Sequence, residues 1–112
     1  MTYHVVIQPK AERDIHDAAF WVLERSRSAV TALRWSRSIR AKIHTLKSSP
    51  LRCPIDPDSD AYGVEVRFLL FGKHNNKHKI LFNVNEDTVR VLTVRHSAQR
   101  SIAEELAGEG DE

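Results

Sequence analysis

Three runs rich in β-branched and aromatic residues, Val64 to Phe71, Lys79 to Val84 and Val89 to Val94, are separated by two short polar segments. Strand-length apolar runs joined by turn-length polar ones predict an antiparallel meander, and this is the feature that most limits what the chain can fold into. Cations recur along it at Arg67, Lys79, Arg90 and Arg95. A sheet that carries cations in this way points to a partner that receives them. The rest of the chain must supply the layer that covers the sheet's apolar face.

The N-terminal part has the patterns for that layer. Thr2 to Gln8 alternates Tyr3, Val5 and Ile7 with polar residues, which predicts a first strand. Pro9 stands at a favourable position to open a helix, with Glu12 and Asp14 near its positive end. Ala11, Ile15, Ala18, Ala19 and Val22 recur at helical spacing, so the helix should run to about Arg25. Ser28 is a candidate N-cap for a second helix ending before Pro50. On it Ala32, Trp35, Ile39, Ile43 and Leu46 fall in one arc, and Arg34, Arg37, Arg40, His44 and Lys47 in the adjoining one. The break between the helices is short, which predicts a helix hairpin. Trp21 and Trp35 are read as packing residues of that hairpin.

The expected fold is therefore α+β: an antiparallel four-stranded sheet in the order strand-helix-helix-strand-strand-strand, a helix hairpin on one face, and a short C-terminal helix from Ser97 to Leu106. At 112 residues a second core would not fit, so residues 1–106 are read as one domain and 107–112 as an acidic, flexible tail. Alternation in the second strand leaves two faces with apolar residues. Packing Val64, Val66, Phe68 and Leu70 under the helices turns Glu65, Arg67, Lys79 and Asn83 to the open side. On the fourth strand Val89 and Val91 compete with Leu92 and Val94 for the core. Leu92 and Val94 inward would place Arg95 beside Arg67 and Lys79.

Function classes narrow from the composition. The lone Cys53 allows no internal disulfide, and with no membrane-length apolar run or basic-apolar leader the expected location is cytoplasmic, with no membrane partner. The six histidines form no metal-ligand pattern, His74 and His78 being separated by a turn, so neither a metal nor a cofactor is expected. Asp56, Asp58 and Asp60 alternate among prolines without the glycine and distal glutamate of a calcium loop. Residues 1 to 103 hold all 17 basic residues against 10 acidic ones, a charge of +7 that suits a polyanion or an acidic protein.

Ala11 to Leu23, Arg34-Trp35 with Ile39 and Ile43, Leu46 to Pro54, VRFLLFG at 66–72, HKILF at 78–82 and VLTVRH at 91–96 follow one another at characteristic spacing. Over nearly the whole chain they resemble the RelE/ParE superfamily of toxins from bacterial type II toxin–antitoxin modules. The resemblance implies a cognate antitoxin, held in a toxin–antitoxin hetero-oligomer, and one of two activities. RelE-like members cleave messenger RNA on the ribosome; ParE-like members inhibit DNA gyrase and are not enzymes in their own right. By position, Arg67 and Lys79 match cations of the RelE-like second and third strands. The tyrosine before the latter is His78 here, and Glu65 stands where a second lysine is common. Ser97 and Ala103 occupy the places of a C-terminal arginine and catalytic tyrosine or histidine.

Metal-free RNA cleavage needs a base, cations around the phosphorane and an acid. His96 could stand in for acid or base, but the VRH ending is common in ParE-like members. The expected reading is thus a ParE-like gyrase inhibitor whose target contacts are Arg67, Lys79, Arg95 and His96. The alternatives are a ribosome-dependent endoribonuclease using His96, Lys79 and Arg67, and a degenerate member that binds antitoxin without toxicity.

Overall fold

The computed structural model describes residues 1–73 and 76–96. Strand β1 (His4–Ile7) leads through Gln8 into helix α1 (Pro9–Ser26), and helix α2 (Ala29–His44) follows after a left-handed Arg27, φ 57°. Three 3-10 turns, Thr45–Lys47, Pro50–Arg52 and Ser59–Tyr62, carry the chain to β2 (Arg67–Lys73), β3 (Asn76–Asn85) and β4 (Thr88–His96). Ser28 caps α2 as its sequence position predicts, its Oγ accepting from Thr31 N at 3.1 Å. Of the apolar stripes read from the sequence, Ala11 and Ile15 on α1, and Ala32, Ile39, Ile43 and Leu46 along and just past α2, are buried, while Ala18, Ala19, Val22 and Trp35 are half-buried. The expected C-terminal helix and the tail lie outside the described residues.

The strand order is β1-β4-β3-β2. The sheet is mixed, not purely antiparallel as expected, because β1 pairs with β4 in parallel, from His4 opposite Thr88 to Ile7 opposite Val91. The helices account for this. They return the chain to the end where β1 began: Tyr3 N donates to Lys47 O at 2.8 Å, and Thr2 bridges Ser48. A three-strand meander started in the direction of β1 ends in the same direction. The long connection frees that pairing from the two-residue turn that would force an antiparallel neighbour.

Two face assignments differ from expectation. Arg67, Leu69 and Phe71 pair with Phe82, Ile80 and His78, so they share the helix-covered face, and Leu69 and Phe71 pack on the core. Phe68 and Leu70 face the other side, Leu70 being 44% exposed. Both faces of this segment are apolar, so alternation alone could not choose. Trp35 chose, meeting Phe71 edge-on at 5.9 Å. On β4, Val89, Val91 and Val94 are all buried in the one core cluster. The register passes from Phe82–Val91 to Leu81–Thr93 and leaves Leu92 unopposed. This bulge switches the parity of the strand, so the two competing apolar pairs each contribute to the core and Leu92 alone is left out.

Candidate functional site

The outer sheet face, the side away from the helices, is partly covered by the segment between α2 and β2. Phe68 N donates to Pro54 O at 3.1 Å, and Asp56 N to Val66 O at 2.8 Å. Asp56 is 4% exposed. Its Oδ1 accepts from Lys79 Nζ at 2.9 Å and its Oδ2 from Asp58 N at 3.0 Å, while the Lys79 ammonium stands 4.5 Å above the Phe68 ring. Lys79 is therefore a neutralised cation, locked in place by a carboxylate and an aromatic face. Asp56 entered the sequence reading only as a poor calcium ligand, because nothing local to PIDPDSD signals a partner 23 residues away.

Of the four predicted contact residues, the structure brings two together. Lys79 and Arg95 are ladder partners on the outer face. Arg67 lies on the helix-covered face, where its guanidinium donates to Cys53 O at 2.6 Å and Leu51 O at 3.3 Å and reaches Glu65 at 3.2 Å. It pins the connecting segment to β2. His96 also shares the helix side, opposite His78, and donates from Nε2 to Asn76 Oδ1 at 2.9 Å. Arg67 and His96 thus sit across the sheet from Lys79, with Arg67 four residues further along the ladder than His96. One phosphate could not be held by all four, since acid–base chemistry needs its groups within hydrogen-bond reach of a single reacting centre.

Cations on the outer flank of α2 differ. Arg40 is held by Glu12 through two bonds of 2.9 and 2.8 Å, a hydrogen-bonded pair that lowers the Glu12 carboxyl and raises the Arg40 guanidinium from their ordinary pKa values. Arg34 and Arg37 make no ion pair among the described residues. With Val30, Leu33, Ser38 and Ala41 they line a shallow groove, in which Val30 is 63% and Leu33 57% exposed. Exposed apolar side chains between unpaired arginines make a surface suited to a protein partner. Cys53 is buried, and burial raises its thiol pKa, which suits packing and not nucleophilic chemistry.

His78 is 6% exposed at the head of an aromatic ladder, 5.3 Å from Trp35 and 5.0 Å from His96, ring to ring. Burial, with a smaller contribution from His96, pushes its pKa down to about 4. The unfolded imidazole, near 6.5, takes up its proton first as acid is added. Stability from this group is complete above pH about 6.5 and is lost as pH falls towards 4, to a total of about 3 kcal/mol. Urea unfolding across that range is expected to show the loss, and His78→Phe should flatten it without weakening the protein at pH 7.

The sequence model of the family described as "ParE toxin of type II toxin-antitoxin system, parDE" matches residues 5–101. Among solved structures, the chain is similar to one from a chromosomal ParDE toxin–antitoxin system of P. aeruginosa. The TM-score is 0.64 at 18% identity, over 85% of this chain and 96% of that one, a likeness of fold. No curated protein matches the sequence. No helix among the described residues is long and apolar enough to cross a membrane. By a family match that spans both helices and all four strands, the chain belongs to the ParE toxin family of type II toxin–antitoxin systems.

Proposed function

We propose that this toxin acts on DNA gyrase by docking and not by chemistry, and that a cognate antitoxin from the same module neutralises it in a hetero-oligomer. The observation that carries the reading is the contrast between the cations. Arg67 and Lys79 are engaged by neighbours of their own chain, whereas Arg34 and Arg37 flank exposed Val30 and Leu33 on α2. We assign the macromolecular contact to this α2 surface. The basic surface suits an acidic antitoxin segment that orders on binding.

Separation of Arg67 and His96 from Lys79 speaks against the ribonuclease reading. The test is a gyrase supercoiling and DNA-cleavage assay with the purified protein, with and without the product of the adjacent gene. Inhibition relieved by that product is expected. Arg34→Glu with Arg37→Glu should weaken the effect about ten-fold or more, since reversing charges at a contact slows association and adds repulsion. Codon-phased cuts in messenger RNA, with gyrase unaffected, would overturn the proposal.

A further inference from the structure

A cleft of about 340 Å³ opens between α1 and the ends of β3 and β4. Helical spacing on α1 lines one wall with Asp14, Asp17, Ala18 and Trp21, and the strand ends supply His78, Val94, Arg95 and His96 to the other. This volume lies at the lower end of small-molecule sites. None of the contacts assigned to toxin action needs it.

Its polar groups divide into those already satisfied and those left over. Asp14 is satisfied: Lys10 donates to Oδ1, and Oδ2 accepts from Thr93 Oγ1 at 2.6 Å and Val94 N at 3.0 Å. That carboxylate ties α1 to β4 and is not available to a ligand. Asp17 is exposed and makes no hydrogen bond or ion pair among the described residues. His78 is more than nine-tenths buried, and its Nδ1 is sealed from solvent without a partner. A buried polar atom left in this state calls for an explanation.

The tautomer follows from hydrogen-bond accounting. A buried N–H without an acceptor is rarer than a buried acceptor without a donor, which puts the proton on Nε2. Since Nδ1 is the sealed nitrogen, the ring edge that lines the cleft is the one carrying Nε2. The strand wall therefore offers the His78 N–H as a donor to the cleft. The helix wall offers a free carboxylate at Asp17. Between them lie Ala18, Val94 and the indole of Trp21, 47% exposed and backed by Arg25 at 4.9 Å. An acceptor-seeking wall faces a cation-seeking wall across an apolar floor of side-chain size.

We propose that this cleft binds a small zwitterion, an α-amino acid with an apolar side chain. The ligand carboxylate accepts from His78 Nε2, its ammonium meets Asp17, and its side chain rests on Ala18, Val94 and Trp21. A simple anion would face the unpaired Asp17, and a simple cation would leave the His78 N–H without an acceptor; a zwitterion matches both walls.

The experiment is an NMR titration of the full-length 15N-labelled protein with L-phenylalanine. Hydrocinnamate and phenethylamine serve as analogues lacking the ammonium and the carboxylate. Saturable shifts of the Trp21 indole and His78 ring nitrogens are expected with phenylalanine, and binding at least about ten-fold weaker with either analogue. Asp17→Asn, which touches no contact of the fold, should weaken phenylalanine about ten-fold and leave hydrocinnamate unchanged or improved. Three outcomes would overturn the proposal. One is no saturable shift up to about 10 mM, ten times a millimolar Kd. Another is equal binding of all three compounds, which describes an apolar crevice only. The third is an Asp17→Asn variant that binds phenylalanine as the parent does.

Discussion

Replacing Phe82 with alanine is expected to remove about 3–5 kcal/mol of folding stability, the range for emptying a buried aromatic site. Phe82 has no exposed surface and is the largest of the fully buried side chains among the described residues. It lies at the point where the sheet's geometry converges, paired with Arg67 on one side and with Val91 beside the bulge on the other. Collapse around the lost ring would have to move the helices or the bulged strand, so the cavity should persist and the loss should fall in the upper part of that range. A domain of ordinary stability holds about 5–15 kcal/mol, so the variant is left with little reserve at 37 °C. Equilibrium urea unfolding at 25 °C measures the difference. Phe82→Leu, which keeps most of the volume, should lose about 1–2 kcal/mol. If Phe82→Ala loses less than Phe82→Leu, the packing described for β3 is wrong.

Asp56→Ala is expected to cost about 3–4 kcal/mol. Breaking a buried ion pair from one side costs roughly 3–5 kcal/mol, and a Lys79 side chain still 35% exposed keeps the value in the lower half. The variant removes the acceptor of Lys79 Nζ and of Asp58 N, and leaves an ammonium without its counter-charge over Phe68. A double-mutant cycle separates the pair from the rest. Lys79→Met alone should destabilise by leaving Asp56 buried and unpaired. Asp56→Ala with Lys79→Met should be more stable than the sum of the two losses predicts, because neither charge is then stranded. Strict additivity would show that the two side chains do not depend on each other. The same cycle bears on function: loss of toxin action in Lys79→Met but not in the double variant would mean that Lys79 acts by holding the segment, and not by touching a target.

How far the candidate site was legible depends on how local each signal was. Arg34 and Arg37 were visible as a basic helix flank because helical period alone sets which residues share a surface. Arg67 was not, because its face turned on a choice between Phe68 with Leu70 and Leu69 with Phe71 that composition left nearly balanced. A one-residue change of parity moves every side chain of a strand to the other side, so the error carried Arg67 across the sheet. Sequence patterning assigns His96 no face; the ladder sets it opposite His78 on the helix side, while its neighbour Arg95 meets Lys79. The pairing of Lys79 with Asp56 joins residues 23 positions apart, and no motif spans that interval.

Local sequence determined the elements themselves. Period and capping placed α1 and α2, the Ser28 cap and the stripe of Ala11, Ile15, Ala32, Ile39 and Ile43, because a helix stands or falls on spacing within a few turns. Alternation and polar breaks placed the three-strand meander. Only the tertiary structure decided the parallel pairing of β1 with β4, the bulge at Leu92 that buries Val91 and Val94 together, and the neutralisation of Lys79. Each depends on which distant segment arrives alongside, and that is set by the packing of the helix hairpin on the sheet, an interaction between residues that no window along the chain contains.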